Sequence, residues 1–153
     1  MKRFTGIVLV LLLVSCLSVA LAQRVECSAG GFSVKLPDHF VEEPATGDPD
    51  LCFYWHGNKL TVQAYASYQG EVAGSDMFEV LTGSEIDSGY VNINGMNMLY
   101  SRTEEYGDVI ISYTWMDRGN CVTMEFTYDS DDESSVQRSI QSIINSVSFD
   151  VGN

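Results

Sequence analysis

Three of the four cysteines, both histidines and a few clustered acids are the residues here with chemical potential. Cys27, Cys52 and Cys121 follow an apolar N-terminal stretch, and Cys121 sits in SYTWMDRGNCVTMEFTY, just past a turn and at the head of a strand. A nucleophilic thiolate needs a cation, a histidine or a helix N-terminus to lower its pKa. Arg118 is near Cys121 in sequence, but Glu125 falls on the same strand face, and His39 and His56, the chain's imidazoles, are distant in sequence. No C-x-x-C or similar spacing offers a zinc site. Asp129-Ser130-Asp131-Asp132-Glu133 begins like a calcium loop, yet Ser134 and Ile140 stand where the loop needs its glycine and closing glutamate. The same acids suit a helix N-terminus. Glu42-Glu43 and Glu104-Glu105 are adjacent pairs, which on a strand point to opposite faces rather than flanking a substrate. No G-x-S-x-G elbow or phosphate loop is present. The expectation is no catalytic residue, no metal and no cofactor.

The elements that position these residues are marked by turns. Phe53 to His56, then Gly57-Asn58, then Lys59 to Ala64 reads as a two-residue hairpin pairing His56 with Lys59, Trp55 with Leu60 and Phe53 with Val62. Leu51, Phe53, Trp55, Leu60, Val62 and Ala64 then share an apolar face; Cys52, Tyr54, His56, Thr61, Gln63 and Tyr65 share the other. Asn94-Gly95 marks a second hairpin, Tyr106-Gly107 a third turn and Arg118-Gly119 a fourth. The last pairs Trp115 with Val122, Tyr113 with Met124 and Ile111 with Phe126, leaving Cys121 on the opposite face. Gly31 to Pro37 reads as a first strand ended by proline, and residues 38–50 as a loop. A short helix opens at Ser75. Val136, Ile140, Ile143, Ile144 and Val147 mark the apolar stripe of a C-terminal helix.

The N-terminus, MKRFTGIVLVLLLVSCLSVALAQ, has the basic start, apolar run and Ala20-Leu21-Ala22 site of a secretory signal peptide over residues 1–22. The competing reading is a lipobox, Leu13-Val14-Ser15-Cys16, with Cys16 as a lipid anchor. Residues 23–153 then form one domain, with no membrane span in the mature chain. The net charge is −13, and loss of Lys2 and Arg3 makes it two units more negative. Such a polyanion is repelled by phosphate backbones, so nucleic acid is excluded as a partner. In an oxidising compartment two of the three mature cysteines could pair. All three pairings are open. Cys52–Cys121 ranks first because both lie on non-core faces, and closing that loop would stabilise by roughly 4 kcal/mol.

The expected fold class is α+β: a curved antiparallel sheet of about six strands, with a short helix and an amphipathic C-terminal helix packed on it. This order resembles the PsbP-like fold. The resemblance rests on the opening strand GFSVKLPDHF, the hairpin YVNINGMNML and the ending VTMEFTYDSDDESSVQRSIQSIINSVSFD, and covers most of residues 30–150. It implies the fold and a leaning toward non-enzymatic binding or assembly; function does not follow from fold. The functional expectation is a secreted or cell-surface monomeric domain that binds a protein or cell-envelope partner, with Tyr54, His56 and Tyr65 as the binding patch if that face is exposed. A helix covering that face would make the tyrosines core instead. The alternative is a small extracellular hydrolase joining His56 or His39 to Cys121 or a carboxylate.

Overall fold

The computed structural model describes residues 22–44, 49–68 and 87–149. The apolar N-terminal run with Cys16 and the helix expected at Ser75 lie outside the described residues. Strands β1 (Ala22–Cys27) and β2 (Phe32–Pro37) form a two-stranded antiparallel sheet. β3 (Val41–Glu42), β4 (Leu51–Trp55), β5 (Leu60–Tyr68), β6 (Asp87–Ile93), β7 (Met96–Glu105), β8 (Asp108–Asp117) and β9 (Asn120–Asp129) form a seven-stranded sheet in the order β3-β4-β5-β9-β8-β7-β6. A 3-10 turn (Ser130–Asp132) leads into helix α1 (Glu133–Asn145). The architecture is α+β as expected, with strands numbering seven and two rather than six. No helix among the described residues is long and apolar enough to cross a membrane.

The turns explain the registers. Asn94-Gly95, Tyr106-Gly107 and Arg118-Gly119 all have positive φ at both positions, the geometry that matches strand twist in two-residue hairpins. The expected pairs Trp115–Val122, Tyr113–Met124 and Ile111–Phe126 form, as do Trp55–Leu60 and Phe53–Val62. The His56–Lys59 pair does not. The β4–β5 connection is a four-residue loop in which Lys59 (φ 50°), not Gly57, takes the left-handed conformation. A further correction concerns the segment before Gly31. It is strand β1, with Cys27 opposite Phe32 and 1% exposed.

Both α1 and the β1–β2 hairpin cover one face of the large sheet. Phe32, Val34 and Leu36 alternate inward from β2 and meet Trp115, Met124 and Phe126, all buried. The Phe32 and Trp115 rings meet edge to face, centroids 5.2 Å apart. The stripe Val136, Ile140, Ile143 and Ile144 is buried beneath α1. Asp129 Oδ1 accepts from the Asp131 backbone N–H at 3.0 Å, so these acids cap the turn entering the helix. At the helix C-terminus, Asn94 Nδ2 donates to the carbonyls of Asn145 and Val147, at 3.0 and 2.7 Å. The β6–β7 turn thereby binds carbonyls that the helix end leaves unpaired.

Candidate functional site

The second face of the sheet, away from α1, carries the residues left over by the strand alternation. Toward β7 and β8 it is closed: Leu99 and Thr114 are buried, and Thr114 Oγ1 shares a 3.0 Å hydrogen bond with Thr123 Oγ1. Toward β4 and β5 it is partly exposed at Cys52, Tyr54, Gln63 and Tyr65, and fully so at His56. The predicted patch of Tyr54, His56 and Tyr65 does lie on one face, but as two clusters. Tyr54 packs edge-on against His56, centroids 4.6 Å apart. His56 Nε2 lies 2.8 Å from Glu43 Oε1, an exposed ion pair when the imidazole is protonated. Tyr54 opposes Thr61 on β5, so Tyr65 sits four residues, about 13 Å, further along that strand.

A polar chain runs from Tyr65 to Cys52, two residues before Tyr54 on β4. The Tyr65 hydroxyl donates to Gln63 Oε1 at 3.0 Å, and Gln63 Nε2 donates to Cys52 Sγ at 3.5 Å. Gln63 opposes Glu125 on β9. Burial pushes the Glu125 carboxyl above the usual carboxylate range. Burial, then the charge of Glu125, then Cys52, push the Tyr65 phenol up. The strip His56–Tyr54–Cys52–Gln63–Tyr65 therefore runs along β4 and β5, with Glu43 at one end and Glu125 at its side. Gln63 was visible in the sequence through its alternation with Val62 and Ala64. Glu43 was not, because the loop after β3 delivers it. Glu125 could be placed on a face but not beside Gln63, because the β5–β9 neighbourhood is a long-range pairing.

The disulfide expectation is corrected. Cys27, Cys52 and Cys121 are all free thiols. Cys52 opposes Gln63 while Cys121 opposes Ser67, four residues further along β5 and one strand beyond it. About 13 Å along the strand and two strand spacings of about 5 Å across it exceed the reach of a disulfide.

The geometry likewise gives no Cys–His pair among the described residues. His39 stacks 4.2 Å from Trp55, and His56 follows Trp55 directly. Trp55 pairs with Leu60, seven residues or about 23 Å along β5 from the Ser67 that faces Cys121. Burial pushes the Cys121 thiol up, and burial is also the main cause for Cys27, where Asp50 adds to it and a Gly30 backbone hydrogen bond opposes it. Both shifts run opposite to thiolate activation. No group of three or more metal-ligating side chains occurs among the described residues.

No protein-family model matches the chain, and no curated protein matches its sequence. Solved structures do match its shape. The solution structure of cyanobacterial PsbP (CyanoP) from Synechocystis sp. PCC 6803 aligns with a TM-score of 0.65 at 12% identity, over 86% of this chain and 94% of that one. LpqN of Mycobacterium tuberculosis, described as involved in cell envelope biogenesis, aligns at 0.56 and 10% identity over 84% and 90%. A Bacteroides thetaiotaomicron VPI-5482 protein aligns at 0.56 and 14% identity, over 81% of this chain and 47% of its own. Identities this low carry the fold alone, and the fold of this chain is PsbP-like.

Proposed function

We propose that the chain is an exported, non-enzymatic binding domain of the cell surface, and that it engages a protein partner through the strip His56–Tyr54–Cys52–Gln63–Tyr65. The observation that carries this reading is the partly exposed aromatic and amide strip on the face away from α1, where the edge-on Tyr54–His56 pair and the Tyr65–Gln63–Cys52 chain hold side chains in place. Aromatic side chains held this way present large contact area and a polar tip at low entropic cost. Glu43 and Glu125 at its margins, within a chain of net charge −13, favour a partner with basic character. Residues 1–22 direct export in this reading, and cleavage after Ala22 would trim only the first residue of β1. The involvement of LpqN in cell envelope biogenesis is consistent with a surface location for this chain.

The test is quantitative capture from the host's envelope and medium with wild-type protein and with Tyr54→Ala and Tyr65→Ala variants. A partner enriched by the wild type and lost from both variants supports the reading. Equal capture by all three removes the strip from the account.

A further inference from the structure

On the helix side of the sheet, α1 and strands β7 and β8 leave a cleft of about 420 Å³. Its floor is Tyr100, Tyr113 and Ile111; Ile140 forms the helix wall and Arg138 and Gln141 the rim. The volume lies within the range of about 300–1,000 Å³ usual for small-molecule sites. Tyr100 and Tyr113 are direct cross-strand partners, their rings edge to face with centroids 5.5 Å apart.

Two features distinguish this cleft from a packing gap. Tyr113 lines the cleft with 8% of its surface exposed, and its hydroxyl is not one of the fully buried unpaired atoms, which among the described residues are Trp115 Nε1 and the Tyr128 hydroxyl. A phenol hydroxyl on a residue that lines an open cleft is a donor that a ligand acceptor can meet there. Burial and then Tyr100 push this phenol up to about 12, which keeps it an O–H donor at physiological pH. The second feature is charge. Arg138 has no ion-pair partner among the described residues, whereas Arg102 lies against Glu104 and Glu133 and Arg118 against Asp117. Among the described residues no carboxylate lines the cleft, although the chain holds 21 acidic residues.

We propose that this cleft is a binding site for a small organic anion with an apolar or aromatic body. The carboxylate pairs with Arg138 and accepts from the Tyr113 hydroxyl, and the body packs on Tyr100 and Ile111. A guanidinium and a phenol O–H in the lining of one partly apolar cleft can recognise that combination. The site lies on the other side of the sheet from the strip, so its failure leaves the partner-binding reading untouched.

The test is an amide-resolved NMR titration with phenylacetate and with its neutral counterpart 2-phenylethanol. Phenylacetate should give saturable shifts at Tyr113, Arg138 and Gln141 in the millimolar range. Affinity should fall at least threefold for 2-phenylethanol, and likewise for phenylacetate in both Arg138→Gln and Tyr113→Phe. Arg138 is exposed on the helix and Tyr113→Phe keeps the ring, so both variants should fold. Absence of saturable shifts at the cleft overturns the proposal. So does a loss below threefold for the neutral probe or for either variant.

Discussion

The same strands build two unlike faces. On the α1 side Val62, Met98, Trp115, Val122, Met124 and Phe126 are fully buried. One residue along each strand, the far face carries Cys52, Tyr54, Gln63, Tyr65 and Glu125, all partly exposed, with Tyr65, Gln63 and Cys52 linked by hydrogen bonds. The first face holds the fold through apolar burial, and its polar exceptions are costly: the buried Trp115 Nε1 has no hydrogen-bond partner among the described residues. The second is closed toward β7 and β8 but leaves side chains partly exposed along β4 and β5, where the proposed partner would bind. On the proposed reading, stability and recognition are separated by the two-residue period of the strand, and substitutions should separate them too.

The largest expected effect is on the α1 face. Trp115→Ala should destabilise by about 3–5 kcal/mol, through lost burial and the cavity left against Phe32 and Phe149. Trp115→Phe should cost much less, because it also removes the orphan N–H. Urea midpoints order the three proteins, and equal loss in both variants would break the assignment of that face. Asn94→Ala should come next, at about 1–2 kcal/mol, since it removes two hydrogen bonds to the helix C-terminus and places alanine at φ 51°.

Glu125 gives a signed test on the far face. Its folded pKa is raised by burial, so folding favours the protonated form. Its contribution is fully present below the unfolded pKa and is lost as pH rises through the folded one. Glu125→Gln should therefore be more stable than wild type at pH 7, with the difference shrinking as pH falls toward 4. Denaturation midpoints across that range decide it, and a difference growing at low pH would contradict the burial of this group. The smallest effect belongs to Tyr106, fully exposed at φ 55° in the β7–β8 turn. Tyr106→Asn should raise stability by up to about 1 kcal/mol by easing the left-handed conformation, a shift readable in Tm.

Local signals in the sequence carried the hairpins and the helix. Asn94-Gly95 and Arg118-Gly119 set registers because few residues tolerate positive φ, and the Val136–Val147 stripe can bury only one way. Alternation also assigned Cys52, Cys121, Tyr54 and Tyr65 to their faces. Alternation does not place residues along the sheet. That depends on β5 lying beside β9, a pairing across some sixty residues of chain with no local mark. Hence Cys52 and Cys121, ranked first of three open pairings, do not meet, and the tyrosine patch is two clusters, that of Tyr65 built on Gln63. Strand β1 was missed because Gln23-Arg24-Val25-Glu26 shows one apolar residue and no turn before it. The α1 cleft depends on where the helix lies over Tyr100 and Tyr113, which no spacing encodes.

The most direct test of the two-face account is capture of a partner from the native envelope by wild type and by a Tyr54→Ala/Tyr65→Ala double variant, with the urea midpoint of each measured alongside. The account predicts a partner that survives moderate salt with wild type and is depleted at least tenfold with the variant, a loss of about 1.4 kcal/mol in binding, while folding stability changes by no more than about 1 kcal/mol. Undiminished capture by a folded double variant, or no partner with wild type, would contradict it.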